Sequence, residues 1–237
     1  MPRPQRLRLA GIAQHVVQRG IDRQAIFFED ADREFYLKCL SETARWYGLA
    51  VHAYCLMTNH VHLLVTPQQA DSLARCMQRL GGHYVRYVNR RSGRTGTLWD
   101  GRYRACLVDC DHHLLTCYRY IELNPVRAAM AKQAAGYRWS SHRHTAWGRS
   151  DPLVSPHECY LALGDSDPGR REAYRALFGT QLSAQTLDQV RAALQHNHVL
   201  GGARFREQVA VMLGRRVGRG RPGRPPKDAG PPSGGQQ

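Results

Sequence analysis

Along the opening of the chain the apolar pair Val16-Val17, flanked by polar residues, reads as a short strand over Gln14–Arg19. From Asp30 the pattern becomes that of an amphipathic helix. Phe35, Leu37, Leu40, Ala44 and Trp46 trace the apolar stripe of a helix that Asp30 and Asp32 open and Gly48 closes. Two β-rich runs follow, Leu49–Met57 and His60–Thr66, and only Thr58 and Asn59 separate them, which predicts a tight hairpin. Asp71 and Ser72 start a second helix to about Asn89, and a basic loop covers Arg90–Thr97. Tyr103–Val108 reads as another strand, and a further helix begins at Asp109 or Asp111.

This order, β-α-β-β-α-β-α, predicts an α+β fold of the ferredoxin-like kind, an antiparallel sheet with helices, over residues 1–131. From about 150 to 213 four helical segments are predicted, near 156–163, 168–178, 183–195 and 202–213, and they read as a small appendage. From Gly214 onward 12 of the last 24 residues are Gly or Pro, a composition expected to be disordered. The expected division is 1–149, 150–213 and 214–237.

Composition narrows the function. The net charge is +15 and most of the excess is arginine, whose planar fork matches phosphate oxygens, so a polyanionic partner is expected. Charge alone does not separate DNA from RNA or anionic lipid. The seven cysteines form no Cys-x-x-Cys pair, which fits reduced thiols and argues against a zinc knuckle. Neither a secretory signal nor a run of roughly 20 apolar residues is visible, and a cytoplasmic location is expected.

On a strand over 60–66, His60 and His62 point to one face, about 7 Å apart, where two imidazoles can share a cation. A bare His-x-His fits two half-buried sheet residues as well. In the helix after Asp111, Leu114, Leu115, Tyr118 and Ile121 form the core stripe, while His113, Thr116, Tyr120 and Asn124 line the polar one. Tyr118 is thus the expected core tyrosine and Tyr120 the presented one, either a functional phenol or a plain surface aromatic. Asn124, one turn on and placed at the helix end by Pro125, can add an oxygen ligand.

Along the second helix Arg75, Arg79, His83, Arg86 and Arg90 recur every three or four residues as a basic ridge, which Arg91, Arg94, Arg102 and Arg104 extend. Tyr84 and Tyr87 interleave with it, a combination suited to single-stranded nucleic acid, although charge runs are commonly solvated faces. In the tail, Arg219, Gly220, Arg221, Pro222, Gly223 and Arg224 resemble an AT-hook, a segment that enters the minor groove of A·T-rich duplex.

His60-Val61-His62 after Ala53–Asn59, Tyr120-Ile121-Glu122-Leu123-Asn124-Pro125-Val126-Arg127-Ala128, His15–Gly20, Asp30–Arg33 and Leu98–Tyr103 together resemble the single-tyrosine HUH transposases, in particular the REP-associated tyrosine transposase branch. The blocks run in order over residues 1–131. Thr58 departs from the proline of many relatives. The resemblance implies a ferredoxin-like catalytic domain, His60, His62 and Asn124 as ligands of magnesium or manganese, and Tyr120 as nucleophile. It also implies cleavage and transfer of single-stranded DNA through a 5′-phosphotyrosine, on hairpin-forming repeats. A quiescent nucleic-acid-binding descendant and a zinc hydrolase are the competing readings. Monomer and homodimer are both compatible with the sequence.

Overall fold

The computed structural model describes residues 6–215 and 217. Four strands, β1 (Gln14–Arg19), β2 (Leu49–Met57), β3 (His60–Pro67) and β4 (Arg104–Val108), alternate with helices α1 (Asp30–Tyr47), α2 (Ser72–Ser92) and α3 (Cys110–Glu122). Short helices α4 (Asn124–Arg127), α5 (His142–Thr145) and α6 (Glu158–Leu161) follow, then α7 (Asp167–Ala176), α8 (Ala184–His196), β5 (Val199–Leu200) and α9 (Ala203–Leu213). The sheet order β2-β3-β1-β4-β5 contains the antiparallel ferredoxin-like arrangement, with β5 added parallel to β4.

Local chemistry sets the boundaries. The α1 start is a capping box, in which Glu29 and Asp32 exchange bonds with each other's backbone N–H. Gly48 ends the helix in the left-handed conformation (φ 62°), which releases the chain directly into β2. The α2 helix continues to Ser92, past the expected end near Asn89, and Gly93 (φ 59°) stops it.

Alternation along β1 assigns the two faces. Gln18 lies beneath α2, where Gly81 leaves room for the Trp99 indole to donate to the Gly81 carbonyl (3.3 Å). On this side Phe27, Tyr36 and Tyr84 interlock through edge-on and tilted ring contacts 5.1–5.5 Å apart, so helix packing here is aromatic. His15, Val17 and Arg19 point to the other face, which α3 covers. Trp46 departs from its expected core position. It is 77% exposed, because the true stripe of α1 runs through Tyr36, Cys39, Leu40, Thr43 and Ala44.

The segment after 150 shares the main core rather than lying apart from it. Tyr160, Tyr174, Val190 and Leu194 belong to the same buried cluster as the sheet residues. One buried carboxylate ties the segments together. Glu122, fully buried at the end of α3, accepts from the Ser141 hydroxyl (2.6 Å), the Thr145 hydroxyl (3.0 Å) and the Tyr174 phenol (2.8 Å), and pairs with His142 Nδ1 (2.8 Å). Four partners offset the desolvation that a lone buried carboxylate would suffer.

Candidate active site

The site begins with strand register. β1 and β3 run antiparallel with Arg19 opposite His60 and Val17 opposite His62, so these four side chains share the face that α3 covers. His60 and His62 stand with ring centroids 5.0 Å apart and planes 77° from each other. From α3 the Tyr120 ring reaches to 5.9 Å from His62 and 5.5 Å from His15, edge-on to both. The expected convergence of a strand pair and a distant helix therefore exists. Tyr118, two residues away, is fully buried beside Tyr160 and Tyr174, as expected of a core tyrosine.

Tyr120 is only 6% exposed, less open than its polar stripe predicts. Arg127 explains part of this. Its guanidinium lies over the Tyr120 ring (4.4 Å) and donates to the Tyr120 carbonyl (2.5 Å), clasping the residue from α4. The Asn124 amide nitrogen donates to that same carbonyl (3.0 Å), which leaves its side-chain oxygen as the group available to a ligand. Leu123 forms the joint between α3 and α4, and Pro125 sits in the first turn of α4, so Asn124 lies where one helix stops and the next begins.

Two neighbours orient the histidines. His62 Nδ1 faces His15 Nε2 at 3.0 Å, and His60 Nδ1 faces Asn59 Oδ1 at 2.6 Å. Asn59 also donates to the Arg23 carbonyl (2.8 Å), locking the hairpin turn against a stretch in which Asp22 and Arg23 take left-handed angles (φ 49° and 59°). With both Nδ1 atoms engaged, the Nε2 atoms remain for a cation, the arrangement in which outer partners usually hold metal-binding imidazoles. Burial pushes the pKa of His60 down to about 4 and that of His15 to about 3, and holds His62 well below its ordinary value. All three rings are therefore neutral at neutral pH, as ligands must be. The donor set of two imidazoles and an amide oxygen fits a divalent cation.

A cleft of about 700 Å³ opens over this cluster, lined by His60, His62, Tyr120 and Asn124 together with arginines 19, 23, 102, 104 and 191. Asp22 and Asp100 are its acidic members, so cations dominate the rim. The expected basic residues separate into two groups. Arg102 and Arg104 line the cleft, whereas Arg75, Arg79, Arg86 and Arg90 stand exposed on α2, across the sheet from Tyr120. Arg75 pairs with Asp71 (3.6 Å), and Arg91 pairs with Asp32 (2.7 Å) and Glu29. Arg94 is half-buried just past the end of α2. The expected stacking role of Tyr84 is corrected. It is fully buried and donates its hydroxyl to the Ile26 carbonyl (2.6 Å), and Tyr87 lies stacked on Phe35 with centroids 3.9 Å apart. Residues 219, 221 and 224 lie outside the described residues.

Sequence reasoning missed His15, Asn59, Arg19, Arg23, Arg127 and Arg191. Period two along β1 already places His15 with Arg19, but only the β1–β3 register brings that face to His62. Arg191 comes from α8, and no local pattern ties that helix to the cleft.

An antiparallel ferredoxin-like sheet that presents paired histidines and a helix-borne tyrosine in an arginine-rimmed cleft is the setting in which relatives were found. Residues 9–124 match the family model described as "Transposase IS200 like". A Haemophilus influenzae protein described as a REP-associated tyrosine transposase is 26% identical over 133 residues, covering 52% of this chain and 75% of the relative. The fold is also that of a solved REP-associated tyrosine transposase, described as bound to a REP hairpin. That structure has a TM-score of 0.54 and 16% identity, and the match covers 66% of this chain and 93% of the other. No helix among the described residues is long and apolar enough to cross a membrane.

Proposed function

We propose that this chain cuts and rejoins single-stranded DNA at hairpin-forming repeats, with Tyr120 as the nucleophile. The observation that carries the proposal is the meeting of the Tyr120 ring with His15 and His62 at 5.5 and 5.9 Å inside the arginine-rimmed cleft. The phenol oxygen attacks the scissile phosphorus, the bond from phosphorus to the 3′ oxygen breaks, and the phenol proton is given up while the 3′ oxygen becomes a hydroxyl. The product is a 5′-phosphotyrosine, and reversal onto a different 3′ hydroxyl transfers the strand without external energy.

His60 and His62, through Nε2, and the Asn124 side-chain oxygen would hold a divalent cation, magnesium or manganese. Such a cation supplies charge stabilisation to the phosphoryl oxygens. Arg127 fixes the nucleophile from behind by clasping its ring and carbonyl. Arg19, Arg102, Arg104 and Arg191 track the phosphates on either side, where they neutralise charge and align the strand. The α2 ridge, Arg75, Arg79, Arg86 and Arg90, and with it Arg91 and Arg94, would hold the duplex part of a hairpin. Arg219, Arg221 and Arg224 would add contacts from the tail.

The test is incubation of the full chain with end-labelled hairpin DNA carrying single-stranded flanks, with magnesium or manganese. A protein–DNA adduct that survives denaturation is expected, absent in Tyr120→Phe and retained in Tyr118→Phe. An adduct that persists in Tyr120→Phe reassigns the nucleophile. Hairpin binding without any adduct leaves a binding protein with no strand chemistry.

A further inference from the structure

Away from the cleft, at the start of α3, three soft ligands meet. Cys110 opens α3, while His157 and Cys159 stand at the N-terminal end of α6, 47 and 49 residues later. One ligand atom from each lies within 4.8 Å of the other two, and each residue is half-buried. Cys110 Sγ is 3.6 Å from His157 Nε2, and Cys159 Sγ is 3.6 Å from the Cys110 carbonyl. All seven cysteines are reduced.

From this geometry we propose that Cys110, His157 and Cys159 form a second metal site, a Cys2His site for a soft divalent cation of the zinc class. Tetrahedral bonds of about 2.3 Å to sulfur and about 2.0 Å to nitrogen place ligand atoms roughly 3.5–3.8 Å apart. The Cys110–His157 separation already has this value, and Cys159 needs to move by about 1 Å at most to reach it. The His157 ring is backed edge-on by His52 at 4.9 Å. His52 is itself held by the Ser155 carbonyl (2.7 Å) and the Thr66 hydroxyl (2.9 Å), so the wall behind the site is rigid and His52 is not a fourth ligand. The half-buried setting leaves the fourth corner to water.

Two thiolates and an imidazole select zinc-like ions over magnesium, so this site and the His60–His62 cleft sort metals by ligand softness. Binding releases two thiol protons. It also moves the His157 ring proton from Nε2 to Nδ1, so the present cap, in which Nδ1 accepts from Cys159 N–H (3.2 Å), is exchanged for coordination. The bound ion clamps the first turn of α3, the helix that carries Tyr120 ten residues on, to the segment after residue 150. The proposal does not depend on the role of Tyr120.

Metal-stripped, reduced full-length protein titrated with cobalt(II) provides the test. One equivalent is expected to give sulfur-to-cobalt charge-transfer absorption that zinc abolishes and magnesium does not. The absorption should survive in the His60→Ala/His62→Ala double variant and be lost in Cys110→Ser and in Cys159→Ser. Cobalt binding without thiolate absorption, or absorption that persists in both serine variants, overturns the site. Should the serine variants fail to fold, maleimide labelling of the unaltered protein, mapped by mass spectrometry, decides the matter. Zinc should suppress labelling at Cys110 and Cys159 alone, and equal labelling with and without zinc overturns the proposal.

Discussion

His15 offers the sharpest test of the proposed cation site in the cleft. For His62 to coordinate through Nε2, its proton must sit on Nδ1 and be donated to His15 Nε2, 3.0 Å away. His15 then carries its own proton on Nδ1, a buried atom without a partner among the described residues. In His15→Leu, which keeps an apolar bulk of similar size, the metal-holding tautomer of His62 has a buried N–H with nothing to accept it. Such an orphaned donor costs about 1–3 kcal/mol. Without metal the ring escapes that cost by moving its proton to Nε2, which faces the cleft, so the loss falls on the bound state. Affinity for manganese should drop about 10- to 100-fold, the usual effect of removing an outer partner of a metal-binding histidine. His15→Gln places an amide oxygen close to the position of Nε2 and should recover most of the loss. Titration calorimetry with manganese reads both variants against His60→Ala. Equal affinity in His15→Leu and the unaltered protein would show that the 3.0 Å contact does not set the tautomer.

Glu122 receives hydroxyl hydrogens from Ser141, Thr145 and Tyr174, so Glu122→Gln turns an amide NH2 toward donors and should lower stability by about 3 kcal/mol. An unfolding free energy from urea titration within about 0.5 kcal/mol of that of the unaltered protein contradicts that account of the network. Burial pushes the pKa of His52 down to about 4 from an ordinary 6.5, so the unfolded chain binds the extra proton and stability falls as pH drops below 6.5. The His52 share of that loss is about 2 kcal/mol at pH 5, and His52→Gln should flatten the pH dependence of the unfolding free energy, read by urea titration between pH 7 and 5, by that amount. Arg104→Ala, on the cleft rim, should weaken single-strand binding and reduce its salt slope by about 1. Arg79→Ala with Arg86→Ala, across the sheet, should weaken hairpin binding while cleavage of short single strands continues, and unchanged hairpin affinity removes α2 from the DNA track.

Strands β1–β4, the α1–α3 helices and the Thr58–Asn59 turn were legible along the chain because each follows from local pattern and boundary residues, whereas β5 was not. The candidate site was legible to the same extent: His60 and His62 share a strand face, and Tyr120 and Tyr118 fall on opposite stripes of one helix, by backbone geometry alone. What lay beyond reach depends on contacts between residues distant in sequence. His15 meets His62 only through the β1–β3 register, Arg191 enters the cleft only because α8 folds back over it, and Tyr84 leaves the presumed DNA-facing ridge because α1 packs against it. Cys110 finds His157 and Cys159 in the same way, across a gap that no spacing rule covers. Local periodicity decides which face a side chain points to, since that follows from the dihedral angles of its own segment. Burial decides what stands opposite that face, because the favoured pairing is the one that removes most apolar surface from water over the whole chain.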